Sequence, residues 1–124
     1  MVRQRFARTA SGDFRFKLDE LADDFEFVTS PEVPDSGTYR GEAAIRWNEA
    51  WIASFDEMTI TATEIEGAGD KVFVGMLQRG RPRGADRTVE GHWWQVVTFR
   101  DGKVARAELF SQRALALEAA GLPD

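Results

Sequence analysis

Apolar residues recur at helical spacing through Glu42–Phe55, in a stripe of Ala44, Ile45, Trp51, Ile52 and Phe55 that Asn48 interrupts. Before this helix the pattern is shorter-ranged. Val2–Thr9 reads as a short helix broken by Ser11-Gly12-Asp13, and Phe14–Leu21 as a second helical piece with Phe14, Leu18 and Leu21 apolar. Phe25–Thr29 alternates as a strand, and the two prolines with Asp35, Ser36 and Gly37 make Pro31–Gly37 a loop. Longer strands are predicted after the helix. Met58–Glu66 stops at Gly67-Ala68-Gly69-Asp70, Lys71–Arg79 runs into Gly80-Arg81-Pro82-Arg83-Gly84, and Thr88–Phe99 pairs with Lys103–Phe110 as a hairpin. Helix Arg113–Ala120 closes the chain, with Ser111 placed to cap it and Gly121 and Pro123 to stop it. Helices, a strand, a helix and then a meander predict an α+β domain with helices against one face of the sheet.

Composition narrows the function. The 124 residues fit a single domain, 1–124, and carry a net charge of −5, which argues against nucleic acid. The four arginines Arg79, Arg81, Arg83 and Arg87 have acidic neighbours and no interleaved aromatics, so they read as a solvated loop. No apolar run is long enough to span a membrane, and the first residues lack a signal-like apolar stretch, so the expected location is the cytoplasm. With no cysteine and His92 the only histidine, thiolate chemistry and a multi-histidine metal site are excluded, and neither metal nor cofactor is expected.

The final hairpin decides which side chains share a face. A three-residue loop Arg100-Asp101-Gly102 sets Phe99 opposite Lys103 and collects Gly91, Trp93, Gln95, Val97, Phe99, Ala105, Ala107, Leu109 and Ser111 on one face. A two-residue loop shifts the pairing and mixes the sets.

Several short motifs occur in a telling order: Ser11-Gly12-Asp13, Ala22-Asp23-Asp24, Ser30-Pro31-Glu32, Thr38-Tyr39-Arg40-Gly41, Gly69-Asp70-Lys71-Val72, Phe99-Arg100-Asp101-Gly102-Lys103-Val104 and Leu117-Glu118-Ala119-Ala120-Gly121-Leu122. From about Asp13 to Leu122 the chain resembles the nuclear transport factor 2-like superfamily, in its SnoaL-like (polyketide cyclase-like) branch. The resemblance implies a cone-shaped curved antiparallel sheet packed around helices, with an interior pocket. It favours the three-residue loop and turns the Gln95 face inward. By the same alignment Val72, Val74, Met76 and Gln78 point in, as do Phe25, Phe27 and Thr29.

The implied pocket is lined by Phe27, Thr29, Asn48, Trp51, Met76, Gln78, Trp93 and Leu109, with Gln95 beside them. Apolar walls carrying a few polar groups suit a hydrophobic small molecule, although a buried Asn or Gln is as often satisfied by backbone or water. Two catalytic candidates emerge: Gln95 as a hydrogen-bond donor to a carbonyl or enolate oxygen, and Glu32 as an acid–base group at the mouth. The tuned carboxyls of ketosteroid isomerase, which shares this fold, align here with Thr29 (or Ser30) and Gln95, and its helix-1 tyrosine with Arg5, so its mechanism is not retained. The expected activity is that of an isomerase, cyclase or lyase acting on a cyclic carbonyl compound. The rival readings are a non-catalytic binder and an assembly module whose cavity Trp51, Trp93 and Met76 fill. On the outer face Phe73, Leu77, His92, Trp94, Val96 and Phe110 form a patch expected to be covered by a second copy in a homodimer, with the C-terminal helix or an arm as the alternative cover. His92 and Glu108, which share that outer face, could act as a base and its partner only in the other register.

Overall fold

The sheet of the computed structural model begins at Leu21 and has six strands in the order β2-β1-β6-β5-β4-β3. The structure describes residues 18–31, 33 and 36–123. The predicted helix Val2–Thr9, the break at Ser11-Gly12-Asp13, most of Phe14–Leu21 and the candidate Glu32 lie outside these residues. The elements are β1 (Leu21–Thr29), β2 (Gly37–Arg40), α1 (Glu42–Ala53), β3 (Phe55–Ala68), β4 (Lys71–Pro82), β5 (Val89–Arg100), β6 (Lys103–Phe110) and α2 (Arg113–Ala120), with a 3-10 turn at Leu18–Glu20 before β1.

This is the expected α+β cone of the nuclear transport factor 2-like type, with one departure: the β1–β6 ladder is parallel, so the sheet is mixed. Both strands of that ladder enter from other elements rather than from a shared turn, so nothing local forces them antiparallel. The inner face gathers Phe25, Phe27, Val72, Val74, Met76, Val97, Val104, Ala107 and Leu109 into the main core, with Ala44 from α1. Helix α1 ends at Ala53 rather than Phe55, because β3 starts at Phe55 and pairs it with Pro82.

The final hairpin closes differently from the three-residue expectation. Arg100 pairs with Lys103, and both Asp101 (φ 53°) and Gly102 (φ 77°) have positive φ, the two-residue turn whose twist matches antiparallel strands. A bulge follows: Phe99 faces Val104 while Thr98 faces Arg106, which leaves Ala105 as the extra residue. The extra residue restores the parity, so Trp93, Gln95, Val97, Ala107 and Leu109 still share the inner face. Next to the turn, however, it is Val104, not Ala105, that enters the core.

Helix α2 lies on the outer face. Phe73, Val96, Ala116, Leu117 and Ala120 form a second buried cluster, flanked by Trp94, Phe110 and Leu122. The helix starts after Gln112, which makes no side-chain cap, rather than on Ser111. It ends in a left-handed Gly121, whose N–H donates to Glu118 O (3.1 Å) while Leu122 N–H reaches back to Leu117 O (3.0 Å). Three contacts fasten it to the sheet. Arg113 grips Glu64 with two hydrogen bonds of 3.0 and 2.9 Å, its guanidinium also lies over the Phe73 ring, and Lys71 Nζ donates to Ala119 O.

Candidate functional site

The second half of α1 presents Trp47, Ala50 and Trp51 on one side, three and four residues apart, and so on one helix face. Trp47 and Trp51 stack with ring centroids 6.1 Å apart, and Phe27 from β1 packs against Trp47 at 5.0 Å. This aromatic wall faces Trp93 of β5 and Leu109 of β6. Between them is a cavity of about 260 Å³, lined by Val33, Trp47, Ala50, Trp51, Ser54, Trp93 and Leu109.

Three of the expected pocket residues are therefore brought together: Trp51, Trp93 and Leu109. Phe27 buttresses the wall from behind, and Met76 is buried in the core without lining the cavity. Trp47, Val33, Ala50 and Ser54 were missed. Trp47 had a signal, since it lies three residues after Ala44 and four before Trp51, on the buried stripe. The cavity also means that Trp51 and Trp93 line space rather than fill it.

The inward polar groups divide. Thr29 is spent on its own backbone: Gly37 N–H donates to Thr29 Oγ1 (2.8 Å), and the hydroxyl returns a bond to Gly37 O (3.3 Å). That pairing ties the end of β1 to the start of β2 and is the satisfied reading of a buried threonine. Asn48 is buried in α1 and is not left without a partner. Gln78 is only 6% exposed, and its Oε1 has no hydrogen-bond partner among the described residues. The same holds for the buried Trp93 Nε1. Gln95 is half-buried on the inner face, between Val74 of β4 and Leu109 of β6.

No carboxylate or histidine lines the cavity among the described residues. His92 is exposed on the outer face, stacked on Trp94 at 6.3 Å. Glu108 shares that face but pairs across from Val96, four positions along β5, and is held by Arg106 Nε at 3.4 Å. The two do not make a base and its partner. Among the described residues two carboxyls are shifted, both away from the cavity. The Arg100 guanidinium hydrogen-bonded to Asp24 lowers that carboxyl, and Arg113 does the same for Glu64. Among the described residues no three His, Asp or Glu side chains gather as a metal site.

The outer patch also divides. Phe73 and Val96 are fully buried under α2 of the same chain and so are not available to a second copy. This corrects the expectation for those two positions, and the cause is the C-terminal helix. Trp94 and Phe110 are partly covered by the same helix, whereas Leu77 is half-buried and His92 exposed beyond it.

The sequence matches the SnoaL-like domain over residues 2–107, and the chain belongs to that family. No protein of curated function is similar in sequence. Solved structures agree on the fold. A nuclear transport factor 2-like protein from Burkholderia thailandensis E264 superposes with a TM-score of 0.72 at 22% identity, over 98% of this chain and 95% of that one. A putative SnoaL-like polyketide cyclase from Jannaschia sp. CCS1 gives 0.69 at 19% identity, over 99% and 90%. TerC co-crystallised with polyporic acid gives 0.68 at 21% identity, over 97% and 95%. No helix among the described residues is long and apolar enough to cross a membrane.

Proposed function

We propose that this protein binds a small, flat, hydrophobic compound in the cavity between α1 and the inner face of β5 and β6. The observation that carries the reading is the wall itself: three indoles, Trp47, Trp51 and Trp93, around about 260 Å³ of space. Apolar walls with few polar groups are the usual form of a small-molecule site. Indole faces stack on flat rings at separations of a few ångströms. The TerC structure with polyporic acid supports a small-molecule occupant for this fold.

The catalytic form of the reading gives Gln95 the task of donating to a carbonyl or enolate oxygen of a cyclic substrate, as in an isomerase, cyclase or lyase. Its support is the position of Gln95 opposite Leu109, a cavity residue. Glu32 is the acid–base candidate, as the chain neighbour of Val33, which lines the cavity. The absence of any described ionisable group from the wall favours binding without turnover as the second reading.

The test is a thermal-shift screen of bicyclic ketones, aromatics and terpenoids on wild type and Ala50→Trp. Ala50 is exposed at the cavity, so the larger side chain occludes it without disturbing the core. A stabilising compound whose effect disappears in Ala50→Trp is the expected result. A compound that stabilises both proteins equally places its site elsewhere and sinks the proposal.

A further inference from the structure

The arginines around the end of β4 are not equivalent. Arg79 is paired with Glu90, and Arg81 lies 3.9 Å from Glu57. Arg83 has no carboxylate partner among the described residues. It leaves β4 just past Pro82 and is fastened twice to the end of α1: its backbone N–H donates to Ser54 O (2.9 Å) and its Nε to Ala53 O (3.1 Å). Ser54 is a wall of the cavity, and so is Ala50, one turn earlier on the same helix face. Ala50, Ser54 and Arg83 are all exposed, so the cavity opens to solvent on the side where Arg83 is held. Asp56, two residues past Ser54, is turned to Gly84 N–H (3.3 Å) and not to Arg83. The bond to Ala53 uses only the Nε side of the guanidinium. The two Nη groups, the fork that holds a carboxylate through parallel hydrogen bonds, have no partner among the described residues. A carbonyl at a helix C-terminus carries partial negative charge, so it positions the guanidinium and leaves less freedom to lose on binding.

We infer that the compound bound in the cavity carries a carboxylate at its outer end, gripped by Arg83 at the rim while its rings lie among Trp47, Trp51 and Trp93. The inference rests on the cavity reading above and names the ligand class: an aromatic or cyclic acid, in preference to a neutral or cationic ring. The walls suit that division. They hold no charged side chain to repel the acid or to draw a cation inward, so the sign of the ligand is chosen at the mouth. There Arg83 acts as a specificity-determining residue. A role confined to capping α1 would affect stability and leave the ranking of ligands by charge unchanged.

The experiment is a calorimetric titration with three probes of one ring system: 2-naphthoate, methyl 2-naphthoate and 2-naphthylmethylammonium. It is run at low ionic strength, where an exposed pair is least screened. The proteins are wild type, Arg83→Gln, Arg83→Lys and Arg87→Gln. The last removes the same charge from the same loop, four residues along. In wild type 2-naphthoate binds about fivefold more tightly than its ester, the scale of a charge-assisted pair at an exposed position, and the ammonium binds most weakly. Arg83→Gln brings acid and ester to parity with ester affinity unchanged, which also shows that the cavity has survived the substitution. Arg83→Lys keeps the charge without the fork and falls between, and Arg87→Gln retains the preference. Equal binding of acid and ester to wild type overturns the carboxylate handle and leaves the cavity reading standing. Equal losses in Arg83→Gln and Arg87→Gln also overturn it, because the field of the loop and not a contact then sets the preference. If no probe binds wild type, the cavity reading fails and the handle with it.

Discussion

At the scale of single residues the site is a matter of which polar side chains are already occupied. Thr29 and Asn48 have protein partners, whereas Gln78 and Trp93 each keep an unpaired atom on the inner face. Gln95 is the residue on which the catalytic form of the proposal turns. If it stabilises a developing oxyanion, Gln95→Leu lowers kcat by about 100-fold or more and leaves ligand-induced stabilisation nearly intact, since such donors act mainly in the transition state. Loss of binding and turnover together makes Gln95 a ligand contact, and unchanged turnover removes it from the mechanism. Alternation and helical spacing fix which face Trp51, Trp93 and Leu109 take, and the family resemblance is what turns those faces toward an interior pocket. Neither could say which inward groups are satisfied. Thr29 reads like a ligand contact until its bond to Gly37 is seen, and that bond depends on β2 pairing with β1 eight residues away.

At the scale of elements, legibility follows locality. The starts of β4 and β6 follow directly from Gly69-Asp70 and Asp101-Gly102, whose turn chemistry acts within a few residues. Strand β2, with four residues, has no period long enough to read and exists because β1 offers an edge. The β5–β6 hairpin was half legible: the two faces came out as expected except at Ala105, whose inward place Val104 takes, and they did so through a two-residue turn and a bulge at Ala105 instead of a three-residue loop. The turn places residue 102 at φ 77°, where a Cβ is crowded. Gly102→Val therefore destabilises by about 1–2 kcal/mol in denaturant titrations. Gly102→Asn, which tolerates that conformation, costs only a few tenths of that. Equal losses for the two would show that the turn conformation is not what residue 102 supplies.

At the scale of the whole molecule, α2 decides what the outer face can do. Its clamp includes the Arg113–Glu64 pair, with Glu64 lowered chiefly by its hydrogen bonds to Arg113. A carboxyl whose value is depressed in the folded state contributes stability that is full above its ordinary value, about 4, and is lost as pH falls through the folded value. Glu64→Gln is thus less stable than wild type at neutral pH, by under about 1 kcal/mol for a pair this exposed. The gap closes in acid, and a gap that persists below the carboxylate range means that Glu64 acts by packing instead. With α2 in place, what remains for a second copy is the strip of Leu77, His92 and Trp94. Leu77 and His92 face one another across β4 and β5, and Trp94 stacks on His92. Such a strip is self-complementary about a two-fold axis, because each aromatic can pack on the leucine of the other chain. We propose that two copies pair through this strip. Sedimentation velocity checks it, and His92→Glu, at an exposed position that leaves the core alone, shifts the dimer to monomer with no change in far-UV circular dichroism. A wild type that sediments as a monomer would leave the outer face to α2 alone and confine the function to the cavity inside the cone.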